Sequence, residues 1–137
     1  MSFALFLHYF GNAETTGISR AAVRSLFPVI EEESQQDFWR VRYDRGNSCS
    51  ISVTALESNQ DMLTFLCIER PCGELRLWQS ILKVLQMASV VLLWPGSPPI
   101  LAEGTPLETL PPEMVDSLGE PKIVNTAESI LALLRET

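Results

Sequence analysis

The feature that most constrains the fold is a series of three strand-like segments between residues 38 and 68. Apolar and polar side chains alternate along residues 38–43 and again along residues 49–56, as in strands that bury one face. Two short stretches of turn-forming residues separate the segments, namely Asp44-Arg45-Gly46-Asn47 and Glu57-Ser58-Asn59-Gln60. Because such short turns join antiparallel neighbours, the pattern predicts a three-stranded meander.

Two segments are apolar on both strand faces. Residues 3–10 are nearly all apolar, so we expect this strand to be covered on both faces and to lie inside a sheet. Residues 62–68, the last strand of the meander, are also apolar on both faces and are predicted to form an inner strand.

The clearest helix covers residues 74–88. Leu75, Trp78, Leu82 and Leu85 recur at helical spacing, which predicts that they form the buried face. The opposite face is polar, with the side chains Arg76, Gln79, Lys83 and Gln86.

The remaining elements are shorter. The sequence predicts three further helices, two strands and an extended segment over residues 18–27, 112–118, 127–135, 90–94, 122–124 and 100–102. Thr16 and Thr126 are candidate N-caps of the first and last helices, and Gly119 is a candidate C-cap. We expect the acidic residues 31–33 in a solvated loop, because carboxylates oppose the dipole at a helix C-terminus.

These elements predict an α+β fold in the order β-α-β-β-β-α-β-α-β-α. We expect a single mixed, mostly antiparallel sheet with the helices packed mainly on one face. The 137 residues match the usual length of one domain, so residues 1–137 are predicted to form a single globular domain.

The charge is strongly acidic, with 17 Asp and Glu against 10 Lys and Arg and a net charge of −7. This excess argues against nucleic-acid binding, whose affinity comes mostly from basic residues that meet phosphates. No apolar run approaches the roughly 20 residues of a membrane-spanning helix, so no membrane association is predicted.

The chain has three cysteines, Cys49, Cys67 and Cys72. A small, odd number of cysteines does not indicate a disulfide framework. The apolar start of the chain lacks a basic region and a cleavage site, so it is interpreted as a strand and not as a signal peptide. Both observations predict a cytoplasmic protein with reduced thiols, in which Cys49 and Cys67 are small core residues.

The sequence has no constellation that carries catalysis. Phosphate-binding glycine motifs are absent. A structural zinc site needs four nitrogen or sulfur ligands, whereas this chain has one histidine and three cysteines, so neither a metal nor a cofactor is expected. Cys72 with His8 as its base is the one candidate nucleophilic pair, and Glu69 with Arg70 is interpreted as a partly buried structural ion pair.

The chain resembles the small immunity proteins that bacteria pair with secreted polymorphic or contact-dependent toxins. The resemblance lies in its size, acidity and meander followed by an amphipathic helix, and in three stretches: Phe38-Trp39-Arg40-Val41-Arg42-Tyr43-Asp44, Arg70-Pro71-Cys72 and Leu92-Leu93-Trp94-Pro95-Gly96. It implies a non-enzymatic protein that neutralises a toxin by tight binding. No residue roles follow from it.

Three functional hypotheses remain from the sequence. The first is an immunity protein that inhibits a toxin or effector, since an acidic chain is steered toward a basic partner. The second is a secretion chaperone or adaptor, which also lacks an active site. The third is a small enzyme that uses Cys72 or a carboxylate.

The predicted binding surface is acidic, with an exposed aromatic anchor. Its residues come from two loops and one strand end, namely Glu31, Glu32, Glu33, Asp37, Glu103, Glu108, Glu113, Asp116 and Trp94. Arg40 and Arg42, on the polar face of the first meander strand, form the alternative surface. The oligomeric state is left open.

Overall fold

The computed structural model describes residues 3–11, 16–33 and 37–136. The strands are β1 (Ala4–Tyr9), β2 (Ile18–Ser19), β3 (Val29–Glu33), β4 (Phe38–Asp44), β5 (Asn47–Leu56), β6 (Asn59–Glu69), β7 (Val90–Leu93), β8 (Ile100–Ala102) and β9 (Lys122–Val124). The helices are α1 (Arg20–Arg24), α2 (Leu75–Met87), α3 (Pro112–Leu118) and α4 (Ala127–Glu136), with a 3₁₀ turn at Leu107–Thr109.

The described strands form one sheet in the order β3-β4-β5-β6-β1-β7-β8-β9, and β2 pairs with the far end of β6. Every neighbouring pair is antiparallel except β8 and β9, which run parallel. The predicted α+β class, the mixed and mostly antiparallel sheet, and the β4–β5–β6 meander are therefore confirmed. The predicted order lacks only the short strands β2, β3 and β8.

The acidic run at residues 31–33 is in strand β3, so the predicted loop is wrong. β3 pairs antiparallel with β4, and Glu31 lies opposite Arg40, with which it forms an ion pair of 3.1 Å. Opposite charges across two strands stabilise the pair, and charged side chains also protect an edge strand from pairing with other chains. The arginines that pair with this strand come from neighbouring segments, Arg24 from α1 before it and Arg40 from β4 after it.

Helix α1 is shorter than predicted because the chain first forms β2. Ser19 and not Thr16 caps the helix, since the Ser19 hydroxyl accepts a hydrogen bond of 3.2 Å from the Ala22 amide. Gly17 allows the close approach to β6, because a Cβ at this position would collide with the Leu63 carbonyl oxygen.

Helix α2 is present as predicted, but its buried face is rotated. Leu77, Trp78, Ile81, Val84 and Leu85 are fully buried, whereas Leu82 is only partly buried and Leu75 is 37% exposed. The predicted polar face is exposed throughout. The face centred on Trp78 and Ile81 packs into the main core with the strands.

The last two helices begin as predicted; α3 also ends as predicted, and α4 extends one residue further, to Glu136. The Thr126 hydroxyl accepts a hydrogen bond of 3.1 Å from the Ser129 amide, and the Ser129 hydroxyl accepts one of 3.3 Å from the Thr126 amide. This is a reciprocal cap in which serine replaces the usual glutamate. Gly119 ends α3 with a φ of 101°, a value that favours glycine.

The two faces of the sheet are covered differently. Residues of α1, α2 and α4 pack with alternate residues of the strands into the main core, around Trp39, Ile51 and Leu66. On the other face, Met114 and Val115 of α3 pack near Val91, so the described residues provide cover only over β7 and β8. The helices therefore lie mainly on one face, as predicted. No described helix is long and apolar enough to cross a membrane.

Candidate functional site

The candidate site is the face of β4, β5, β6 and β1 that points away from α2, which we call the open face. Alternate residues of these strands, among them Trp39, Ile51, Leu66 and Leu5, are fully buried in the main core, so their neighbours in sequence point to the other side. The open-face residues are Phe38, Arg40, Arg42, Ser48, Ser50, Ser52, Thr54, Phe65, Cys67, Glu69, Ala4, Phe6 and His8. All of them are exposed or partly exposed.

The strand register aligns these side chains in rows. One row runs Phe38, Ser52, Cys67, Phe6 and Leu93 across five strands. In such a row, directly opposite side chains contact one another, so the row forms a continuous strip that is apolar apart from one serine.

Three aromatic rings form a cluster at the middle of the open face. The rings of Phe6 and Phe65 stack with centroids 6.0 Å apart and an angle of 28°. His8 meets the Phe65 ring edge-on, at 6.0 Å and 89°. His8 is exposed while both phenylalanine rings are partly exposed, so the described chain leaves this cluster accessible.

This accessibility contradicts the expected cover on both faces of β1. β1 and β6 are inner strands, as predicted, but the described residues that pack against their second face belong to neighbouring strands and not to a second layer. The apolar pattern of residues 3–10 therefore indicates a surface suited to burial. The described residues leave that surface accessible to solvent.

Arginines surround one end of the open face. A depression of about 270 Å³ is lined by residues that include Arg40, Ser48, Ser50, Glu69 and Arg70, and we call it the arginine groove. Glu69 and Arg70 are both exposed and form no ion pair with each other in the described structure, so the predicted partly buried pair is wrong. The alternative binding residues Arg40 and Arg42 lie side by side at this end.

The first predicted acidic set is largely engaged in ion pairs within the protein. Besides the pair of Glu31 with Arg40, Glu32 pairs with Arg24. Asp37 lies 3.4 Å from Arg20. Glu33 is opposite Phe38 in the β3–β4 ladder, and its side chain lies outside the described part of the structure. These carboxylates stabilise the sheet edge.

The second acidic set is exposed and forms no ion pair within the described residues. Glu103 follows β8, Glu108 lies in the 3₁₀ turn, and Glu113 and Asp116 lie three residues apart on α3. We call residues 103–116 the acidic segment. It lies at the opposite end of the sheet from β3, so the structure does not join the two predicted acidic sets into one surface.

Trp94 is not an exposed anchor, and that prediction is wrong. Its side chain is only 4% exposed and belongs to the main core. The alternation of β7 places Trp94 on the same side as Val90 and Leu92. The turn that follows is closed by the Ser97 amide, which donates to the Trp94 carbonyl at 2.9 Å, and this turn lets the chain reverse while the indole stays inside.

Cys72 and His8, considered from the sequence as a candidate nucleophilic pair, are separated by the sheet. Cys72 packs against the main core, whereas His8 is on the open face. Residues 3–11, 16–33 and 37–136 contain no group of three or more His, Cys, Asp or Glu side chains placed to hold a metal ion.

The cysteines are free thiols in different environments. Cys49 is buried, as predicted, and burial raises the pKa of its thiol to about 12, with the nearby Cys72 adding to the effect. Cys67, predicted as a core residue, lies instead on the open face and is partly exposed. Burial and the neighbouring Glu69 raise the pKa of the Cys67 thiol.

Sequence reasoning missed Phe6, Phe65, His8, Ser50 and Arg70 as candidate contact residues. The available signal was the apolar pattern on both faces of two strands, which indicates that both faces are buried but not which residues bury them.

Comparison with protein-family models, with curated proteins and with solved structures finds no match for this chain.

Proposed function

We propose that this chain is a non-enzymatic binding protein that holds a protein partner against the open face of its sheet. The observation that supports this proposal is the accessible aromatic cluster of Phe6, Phe65 and His8 on two inner strands. Inner strands with apolar side chains on both faces normally have both faces covered. Here a partner would supply the second layer.

The energetics favour such a partner. Completing the burial of a large apolar side chain contributes up to about 1.5–3 kcal/mol, and several such side chains lie in adjacent rows. Aromatic and arginine side chains are enriched at protein interfaces, and both occur on this face as Phe38, Phe65, Arg40 and Arg42. The strip runs across five strands, an extent that suits a protein surface better than a small molecule.

The narrower form of the proposal is neutralisation of a bacterial toxin in the cytoplasm, which the immunity-protein resemblance implies. The acidic segment adds a distinct contribution to the association rate. Its exposed carboxylates attract a basic partner that comes within about a Debye length, before salt screens the charges. In this proposal the acidic segment speeds association and the open face provides the lasting contact.

The test begins with capture of partners from the native host by the wild-type chain and by Phe65→Ser. The control is Ile123→Ser, which removes an apolar side chain that is 49% exposed on β9. We expect Phe65→Ser to weaken binding of the purified partner by at least about tenfold, as for a central interface aromatic, and Ile123→Ser to bind normally. The toxin form predicts that the partner arrests growth unless this chain is co-expressed.

Two results would contradict the proposal. If both variants bound the partner equally, the contact would lie elsewhere on the protein. If the purified chain were a dimer that Phe65→Ser converts to a monomer, the open face would be covered by a second copy instead.

A further inference from the structure

The arginine groove, at the end of the open face, is lined by arginine and serine side chains together with one glutamate. Arg40 lies opposite Ser50 on β5, and Ser50 lies opposite Glu69 on β6. Arg70 follows directly and lines the same depression. Residues with guanidinium and hydroxyl donors thus line a single depression of about 270 Å³, next to the Glu69 carboxylate.

The charge around the groove is opposite to that of the whole protein. Arg40, Arg70 and Glu69 line it. Arg42 lies beside it, opposite the lining residue Ser48, and Glu31 pairs with Arg40. The balance is one positive charge, whereas the whole chain carries −7. Arg42 and Arg70 are exposed and form no ion pair with any described residue. The groove therefore attracts one negative charge.

The backbone of Arg70 provides an independent observation. Its φ is 52°, which makes it the only non-glycine residue with a positive φ among those described. The residue before a proline normally adopts an extended conformation, and Pro71 follows Arg70. A left-handed non-glycine residue is strained, and strain of this kind concentrates where the position of a side chain serves a function. Here the residue with the unusual conformation is one of those that line the groove.

We propose that the arginine groove binds an acidic side chain of a protein segment that lies across the open face. This inference rests on the proposed function and names the chemistry of the partner at this site. A carboxylate accepts paired hydrogen bonds from guanidinium groups, and its single charge matches the single positive charge of the groove. A phosphate carries up to two negative charges and would leave the site negative. The apolar strip through Phe38 and Phe6 accommodates the residues that flank the acid.

The test uses the blocked tripeptide acetyl-Phe-Glu-Phe-amide as the probe. Its matched control is acetyl-Phe-Gln-Phe-amide, and inorganic phosphate forms a third arm. Backbone amide signals of the full chain are followed by NMR during each titration. We expect the glutamate peptide to shift the amides of residues 48–50 and 69–70 and to bind at least about tenfold more tightly than the glutamine peptide.

Variants of Arg70 connect the result to the groove. Arg70→Asn tolerates the left-handed conformation but removes the charge, and it should abolish the preference for the glutamate peptide. Arg135→Gln, which removes an exposed arginine at the end of α4, should keep the preference. Retained melting temperatures confirm that the variants are folded.

The outcomes separate the two proposals. If both peptides shift the amides around Phe6 and Phe65 with equal affinity, the open face binds apolar groups but the carboxylate inference is overturned. If phosphate binds the groove more tightly than the glutamate peptide, the site is one for phosphate and the inference is again overturned. If no peptide shifts any signal on the open face, this inference fails, while loss of partner binding in Phe65→Ser would still support the proposed function.

Discussion

The two faces of β4, β5, β6 and β1 are made from alternating residues of the same strands but differ in what covers them. On the covered face, Leu66 and Ile68 of β6 are fully buried beneath the helices. On the open face, Phe65 and Cys67 of the same strand remain partly exposed. Local conformation is shared, so the difference comes from the tertiary partners of each face.

The comparison shows that an apolar sequence pattern predicts that a strand face is buried. It does not predict which element or protein buries that face. A helix of the same chain supplies the cover on one face, and on the other face we propose that a second protein does. β5 differs from β1 and β6, because it alternates strictly between its two faces. Its open-face residues Ser50, Ser52 and Thr54 are polar and do not need to be buried.

The largest difference is expected between two adjacent residues of β6. Leu66→Ala removes a fully buried side chain and should lower the free energy of unfolding by about 2–5 kcal/mol. Phe65→Ala, one residue away on the open face, should lower it by less than about 1.5 kcal/mol, because little of its burial is lost. Urea unfolding followed by tryptophan fluorescence measures both. Equal losses would mean that the open face is as well packed as the core.

Much of the covered face was predictable from the sequence. The alternation of residues 38–43 and 49–56 fixes which side chains point inward, and the two turns fix the antiparallel pairing. Helix α2 was equally clear, but its phase was not. Leu75 and Leu77 both fit an apolar stripe, and only the position of the helix on the sheet decides that Leu77 is buried.

The features that sequence reasoning missed depend on contacts between distant segments. β3 forms because Arg40 of the next strand lies opposite Glu31, and a run of glutamates by itself favours solvent. Trp94 is buried because β7 lies between β1 and β8. The unusual backbone of Arg70 has no sequence signal, since a residue before proline is normally extended.

The second prediction concerns alkaline pH and again contrasts the two faces. Burial raises the pKa of Cys49 to about 12, whereas an unfolded cysteine ionises near about 8.5. The unfolded chain therefore loses this proton first, and stability falls as pH rises from about 8.5 toward 12. By pH 10 the loss should be on the order of 1–2 kcal/mol.

Tyr43 extends the loss to higher pH. Burial raises its pKa to about 12, although its hydrogen bond of 2.8 Å to the Ser80 hydroxyl acts in the opposite direction. Urea unfolding between pH 7 and 10.5 measures the slope. Cys49→Ala should reduce the slope strongly, and Cys67→Ala, on the open face, should reduce it less. A slope that depends only on Cys67 would contradict the burial of Cys49.

A smaller effect is expected from the strained residue at the arginine groove. Arg70→Gly relieves a left-handed conformation and should raise the free energy of unfolding by about 1 kcal/mol. Arg42→Gly is the matched control, because Arg42 has an ordinary strand conformation and glycine there should lower stability by about 0.5–1 kcal/mol. Opposite signs for two exposed arginines would show that strain at Arg70 is kept at the expense of stability. A loss of stability in both variants would argue that Arg70 supports the fold.

The smallest effect on the isolated protein is expected in the acidic segment. Charge reversal of Glu103, Glu108 and Asp116 to lysine should change the free energy of unfolding by less than about 0.5 kcal/mol, because these side chains are exposed and form no ion pair with described residues.

The same triple variant should slow association with a basic partner and flatten the salt dependence of the association rate, since steering acts within a screening length of about 8 Å. Its dissociation rate should stay close to that of the wild-type chain, because the lasting contact in our proposal is the open face. Stopped-flow binding at low and physiological salt separates the two rates. An unchanged association rate at low salt would remove the acidic segment from the binding mechanism and leave the open face with its arginine groove as the whole of the proposed site.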